Sequence, residues 1–300
     1  MKFDTQAPIW RMMRVVLPLV ILAALWVFAD GAQIVHQLRR ADLGWLIAAG
    51  LVVNLQTVLC GWRWKMTANR LGQALPLTVA IREYYLAQFV NQTMPGGVAG
   101  DVARAVRVKG DSMARSGAAV AIERISGQVG MLVIMIVALA IALLTGAVPS
   151  GTGGMPLGIG IGIAVALPIA YRLIPQRMRE AIRRGILDIW ARQSVLGLAI
   201  SACNILAFSC CAEAIGAPLE PLAAAALVPV VLSAMLIPAS VAGWGFREGA
   251  AVLFLPAAGL GAQAAVATSV AYGAVLLVSA IPGAFFLRRP RKLAGSGSGA

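Results

Sequence analysis

Asn91 to Arg104 reads NQTMPGGVAGDVAR, and a second stretch, Ile237 to Glu248, reads IPASVAGWGFRE. Neither can continue as an unbroken apolar helix. Pro95 and Pro238 lack the backbone N–H that a helix interior needs, and the neighbouring glycines loosen the chain further. Asp101, Arg104, Arg247 and Glu248 then place charges inside an otherwise apolar sequence, where charges are costly unless they have a use. Aligned on their prolines, the two stretches share P-x-x-V-A-G-x-x-x-R: Pro95 with Pro238, Val98 with Val241, Ala99 with Ala242, Gly100 with Gly243, and Arg104 with Arg247. The pattern predicts a duplicated pair of broken membrane elements around a polar centre.

The rest of the chain sets that pair in a membrane. Its 300 residues are 60% hydrophobic and only 12% charged, with a mean hydropathy of +0.83. Runs of about 20 apolar residues, the length that crosses a bilayer, recur along it. The expected fold class is therefore an all-α polytopic membrane protein. We expect about six full spans plus two re-entrant helical hairpins, over 75–124 and 222–260, related as an inverted repeat. One transmembrane domain covers 1–292, with halves at about 1–148 and 154–292, and 293–300 is a flexible tail or cloning remnant.

The net charge of +13 fits the excess of Lys and Arg in cytoplasmic loops and their attraction to anionic lipid headgroups; no nucleic-acid partner is expected. With N- and C-termini cytoplasmic, all but Arg39, Arg40 and Arg247 of the 25 Lys and Arg fall on the cytoplasmic side or on the inner hairpin. A short extra helix before Trp45 would accommodate Arg39 and Arg40. Residues 176–193 carry five arginines and one apolar face (Met178, Ile182, Ile186, Ile189, Trp190), which predicts an interfacial amphipathic helix. Three full spans separate the two hairpins, so the second enters from the opposite face.

Chemistry is confined to few residues. The four cysteines have no metal-ligand spacing, and His36 is the only histidine. No metal or cofactor is expected. Arg82-Glu83, Glu123-Arg124 and Arg247-Glu248 are adjacent opposite charges. Neighbours on a helix point about 100° apart, so each charge is expected to find its partner elsewhere. That partner is either a structural network, such as Glu83 with Arg124, or a ligand. Arg104 and Arg247, with the helix starts after Gly100 and Gly245, form a candidate phosphate cradle. Gly96, Gly97, Gly100 and Gly243 would let a headgroup approach the backbone. Asn91, Gln92 and Ser240 add neutral contacts, and Asp101 is either a ligand residue or a first-turn cap.

The run MPGGVAGDVARAVRVKGDSMARSGAAVAIERISG resembles the signature of the lysylphosphatidylglycerol synthase transmembrane (flippase-like) family. Its Pro, Gly-Gly-x-x-Gly-Asp-x-x-Arg and acid-Arg elements correspond to Pro95, Gly96, Gly97, Gly100, Asp101, Arg104, Glu123 and Arg124. A second signature is met by Pro238, Gly243, Gly245, Arg247 and Glu248. The resemblance implies a stand-alone lipid-handling region without the aminoacyl-transferase domain of bifunctional members. It implies a bacterial inner-membrane protein that translocates a phospho- or glycolipid between leaflets, with membrane lipids, lipid-synthesis enzymes or a second copy of the chain as partners. Two alternatives stay open: a headgroup-modifying enzyme with Glu123 and Glu248 as acid and base, and a non-transporting scaffold acting through the 176–193 helix.

Overall fold

The computed structural model describes residues 8–94, 97–108, 112–236 and 241–287. Pro95, Gly96, Pro238 and Ser240 lie outside the described residues, as do the arginines after Leu287 and the tail from 293. Twelve α-helices and no strand occur among the described residues. They are α1 (Pro8–Phe28), α2 (Gly31–Arg39), α3 (Leu43–Arg70), α4 (Leu77–Thr93), α5 (Ala99–Arg107), α6 (Met113–Thr145), α7 (Ser150–Leu173), α8 (Gln176–Gly185), α9 (Trp190–Ile215), α10 (Pro221–Ser233), α11 (Phe246–Phe254) and α12 (Ala262–Ala280). Five are long and apolar enough to cross a membrane, counting α8 with α9 and α12 with its continuation to Phe286; Val16–Phe28 and α2, bent by 91°, make a sixth if taken as one span. The protein is thus an all-α multi-pass membrane protein.

The short extra helix before Trp45 is α2, which carries Arg39 at its end; Asp30 caps it with a side-chain bond from the Gln33 N–H. The expected second arm of the first hairpin is corrected. It is not one helix through Gly127. α5 stops at Arg107 and α6 begins at Met113, then runs unbroken past Gly127 to Thr145. The stretch between them, Val108 to Ser112, contains glycine, aspartate and serine, which favour turns and caps over helix interiors. Glu123 and Arg124 therefore sit on a long span rather than on the hairpin. The amphipathic run 176–193 also divides, at Gly185, whose carbonyl accepts from the Gln193 Nε2 at 2.9 Å; the same nitrogen reaches Thr67 at 2.9 Å. Thus Ile189 and Gln193 turn inward with α9 while Met178 stays outside.

The main core gathers small and branched residues of α3, α6, α9, α10, α11 and α12, among them Ala49, Leu139, Phe208, Leu227, Ala251 and Tyr272. Helix contacts repeat between two sets, α3-α4-α5-α6 and α9-α10-α11-α12. α4 touches α5 as α10 touches α11; α5 touches α6 as α11 touches α12; α3 touches α4 and α6 as α9 touches α10 and α12. Across the sets, α6 meets α9 and α10 as α12 meets α3 and α4, and α3 pairs with α9. Close crossings need glycine. A Cβ on Gly130 would lie 2.9 Å from the Gly197 backbone, where α6 crosses α9. α7 is the outlier: Met155, Ile159, Val165 and Leu173 are all exposed, as suits a helix against lipid. Gly160 packs on Met135 and Ile136, whereas Gly158 and Gly162 face open space.

Candidate functional site

Both hairpins end against one cavity of about 270 Å³. α4, the turn before α5 and the first turn of α5 contribute Gln88, Asn91, Gln92, Gly97 and Asp101. The end of α10 and the turn before α11 contribute Leu232, Ser233, Met235, Leu236 and Ala242. Gln56 and Arg63 of α3, Glu123, Arg124 and Gln128 of α6, Ser201 and Asn204 of α9 and Tyr272 of α12 are also on the wall.

The wall's charge centre is built around Glu123, which is fully buried. Arg63 Nη2 donates to its Oε1 at 2.6 Å, and Arg104 Nη2 to its Oε2 at 2.8 Å. Arg104 also pairs with Asp101 at 2.9 Å, one turn back on α5. Asp101 accepts from Arg124 and, at 3.3 Å, from Asn91 Nδ2. Asn91 closes the hairpin from its other end: its Oδ1 takes the Gly100 N–H at 2.8 Å. Gly100 must be glycine here, because a Cβ would collide with the Ala87 carbonyl. Arg104 is sandwiched, with its guanidinium carbon 4.8 Å from the Trp64 ring centre and 4.6 Å from that of Tyr84, a favourable cation–π placement. Gly127 makes room for Arg63, whose Nη2 would lie 2.7 Å from a Cβ there.

Three guanidiniums thus surround two carboxylates. Among the described residues, Nε and Nη1 of both Arg63 and Arg104, and Nε of Arg124, are buried with no hydrogen-bond partner. A buried donor left unpaired is expensive, more so when charged. The cluster therefore has both spare charge and spare N–H groups for an anion.

A second cluster lies around Glu83. Arg107 Nε donates to Oε2 at 2.6 Å, and Arg82 and Arg107 reach Oε1 at 2.9 and 3.2 Å. Arg107 also bonds the Phe286 carbonyl at 3.2 Å, which ties the last described turns to the first hairpin. Gly283 lets those turns rest on the Tyr85 backbone.

The third cluster corrects the expected cradle. Arg247 and Glu248 are buried and bond each other, with Nη2 and Nε of Arg247 at 2.7 and 3.1 Å from Glu248 Oε1. Ser269 is shared between them, 2.9 Å from Arg247 Nε and 2.8 Å from Glu248 Oε1. Glu248 Oε2 accepts the Gly245 N–H at 2.7 Å and so occupies the start of α11 itself. Arg247 is flanked by Trp244 and Tyr272, at 5.2 and 5.6 Å. Neither Arg247 nor Glu248 lines the cavity. Arg104 and Arg247 also differ in register: Arg247 is in the first turn of its helix and Arg104 in the second.

The rule that adjacent charges do not face each other fails at Arg82-Glu83 and Arg247-Glu248, because a long arginine can curl back along the helix to its neighbour. It holds at Glu123-Arg124, whose partners lie on other helices or on α5. The expected Glu83-Arg124 pair is replaced by Glu83 with Arg82 and Arg107. A structural network pairing Glu123 or Glu248 with an arginine of the opposite repeat is the other expectation, and among the described residues no such pair forms. The expected acid–base pair is not on one wall, since Glu123 lines the cavity and Glu248 does not. Of the expected site residues, Asn91, Gln92, Gly97, Asp101, Glu123 and Arg124 line the cavity. Gly100 and Arg104 stand directly behind them. Arg82, Glu83, Gly243, Arg247 and Glu248 do not line it.

Arg63 is the main residue sequence reasoning missed. Flanked by Trp62 and Trp64, it reads as an interface marker, yet α3 continues to Arg70 and carries it into the core at 3% exposure. Its two-turn spacing from Gln56, on the same face of the helix, was the available signal. A family model described as "Lysylphosphatidylglycerol synthase TM region" matches residues 15–283. Comparison with curated proteins finds no match.

Proposed function

The chain belongs to the lysylphosphatidylglycerol synthase TM region family, and we propose that it holds the anionic headgroup of an amphipathic lipid in the central cavity and moves it between leaflets. Handling of lipid follows from the family; translocation, and the residues that perform it, are our reading. The observation that carries it is the group Arg63, Arg104 and Arg124 against Asp101 and Glu123, with unpaired guanidinium N–H groups beside a cavity walled by both hairpins. A phosphate would accept from the groups of Arg63 and Arg124, which line the cavity, and the planar fork of arginine suits it. The tails stay in lipid while the headgroup occupies the cavity.

The two matched sets of helices support alternating exposure of this cavity. α6, α7 and α9 separate the hairpins. Three crossings put the second hairpin in from the opposite face, the inverted-repeat plan in which one repeat rocks against the other around a midplane site. In this reading both hairpins are re-entrant, the membrane is the bacterial inner membrane, and both chain termini are cytoplasmic.

The test is purified protein in proteoliposomes containing a tail-labelled fluorescent phospholipid, with the outer-leaflet label destroyed by an impermeant reductant. Loss of nearly all fluorescence, with chemically unaltered lipid recovered, is the expected result. Loss of only the outer half, as in protein-free vesicles, would sink the translocation reading, and recovery of a changed headgroup would point to the enzyme.

A further inference from the structure

We propose that the cavity selects a headgroup with a single phosphate negative charge and a neutral, hydroxyl-bearing extension, such as a polyol or sugar, over one that ends in an ammonium. This rests on the reading of the cavity as the headgroup site. It goes beyond that reading by naming the headgroup chemistry.

The charge balance is the first reason. The two carboxylates of the described wall are both engaged: Glu123 by Arg63 and Arg104, and Asp101 by Arg104, Arg124 and Asn91. An incoming ammonium would have to displace one of these arginines and would meet a cluster with one surplus positive charge. A phosphodiester, with one negative charge, balances that surplus.

The rest of the wall is the second reason. Gln56, Gln88, Gln92 and Gln128 line the cavity, together with Ser201 and Ser233. Gln88 and Gln92 are one turn apart and share a face of α4. Each carboxamide carries a donor and an acceptor, and so does each hydroxyl of a sugar or polyol. Among the described residues Gln56 Oε1 is buried and has no partner, although an unmet buried acceptor is costly. A ligand hydroxyl can donate to it while a neighbouring oxygen accepts from the adjacent amides. A trimethylammonium group could satisfy neither half of an amide, and an ammonium only the acceptor.

The experiment is competition for the detergent-solubilised full chain between tail-labelled fluorescent phosphatidylinositol and unlabelled phosphatidylinositol, phosphatidylethanolamine, phosphatidylcholine and lysyl-phosphatidylglycerol. Phosphatidylinositol is expected to displace the probe at concentrations at least about ten-fold lower than the three ammonium-bearing lipids, equivalent to one or two extra hydrogen bonds. Gln56→Leu is expected to narrow that ratio about five-fold, and Arg63→Gln to weaken phosphatidylinositol binding outright. Equal displacement by all four lipids, or failure of the probe to bind a protein whose helicity and melting are normal, would overturn the selectivity. The two readings separate cleanly. Selective binding without movement in proteoliposomes removes translocation and leaves the selectivity standing; equal binding and equal movement of every lipid does the reverse.

Discussion

Glu123 holds two arginines from two other helices, one on each oxygen, and it does so at zero exposure. Removing one member of a buried ion pair leaves an uncompensated charge, typically at a cost of about 3–5 kcal/mol. Glu123→Gln is therefore expected to lower the melting temperature in detergent sharply. An unchanged melting curve would mean that Arg63 and Arg104 have other anchors. Arg247→Gln should behave differently. Arg247 is just as buried, but its partners are Glu248 and Ser269, away from the cavity wall. It is expected to destabilise the protein while leaving the lipid preference of the folded fraction unchanged; a shift in preference would bring Arg247 back into the site. At this scale the sequence was legible where a residue sat in a broken motif. Asn91, Asp101 and Arg104 flank the first break and meet there, and Glu123 and Arg124 reach them from α6. Arg63 was not legible, because burial of one arginine in a long helix depends on what packs against it, here Gly127 and Glu123.

The two breaks are built by different means although their sequences align. At the first, α5 begins at Ala99, and Asn91 reaches across to the Gly100 N–H. At the second, Ala242, Gly243 and Gly245 all take left-handed backbone, with φ of 51°, 82° and 84°, before α11 begins at Phe246. An alanine in that region is strained by about 1–2 kcal/mol, and it persists here because the flanking elements hold the turn. Gly245 is further constrained by α1: a Cβ would lie 2.9 Å from the Pro18 carbonyl. Gly245→Ala is thus expected to lower thermal stability through both φ and the clash. Gly158→Ala, in the middle of α7 and facing open space, should raise it by about 0.5–1 kcal/mol. If the two changes had equal effects on melting, the close approach of α1 to the second break would be wrong. The shared P-x-x-V-A-G-x-x-x-R pattern located both breaks, but the helix starts shifted between them, because Trp244 and Gly245 extend the second turn where the first already coils.

At the scale of the molecule, two sets of four helices repeat their contacts around α3 and α9, and the cavity lies where both hairpins end. Hydrophobic run lengths and the ordered signatures were enough to read the membrane class and the two broken elements. They did not reveal that α6 is continuous through Glu123 or that the 176–193 run splits at Gly185. Both depend on tertiary contacts: one face of α6, with Ala119, Glu123, Leu139 and Ala142, is buried against its neighbours, and Gly185 is pinned by Gln193 and packs beside Thr67. The central claim is that the headgroup passes through the cavity between the hairpins. Gln92 and Ser233 line it from opposite hairpins, so Gln92→Trp and Ser233→Trp should each fill the passage without removing a member of the ion-pair cluster. The decisive measurement is the rate of fluorescent phospholipid movement in proteoliposomes for the wild type and these two variants, at matched protein amount and helicity. Rapid movement by the wild type and at least about ten-fold slower movement by both variants is the expected result; movement at the wild-type rate with either plug in place would contradict it.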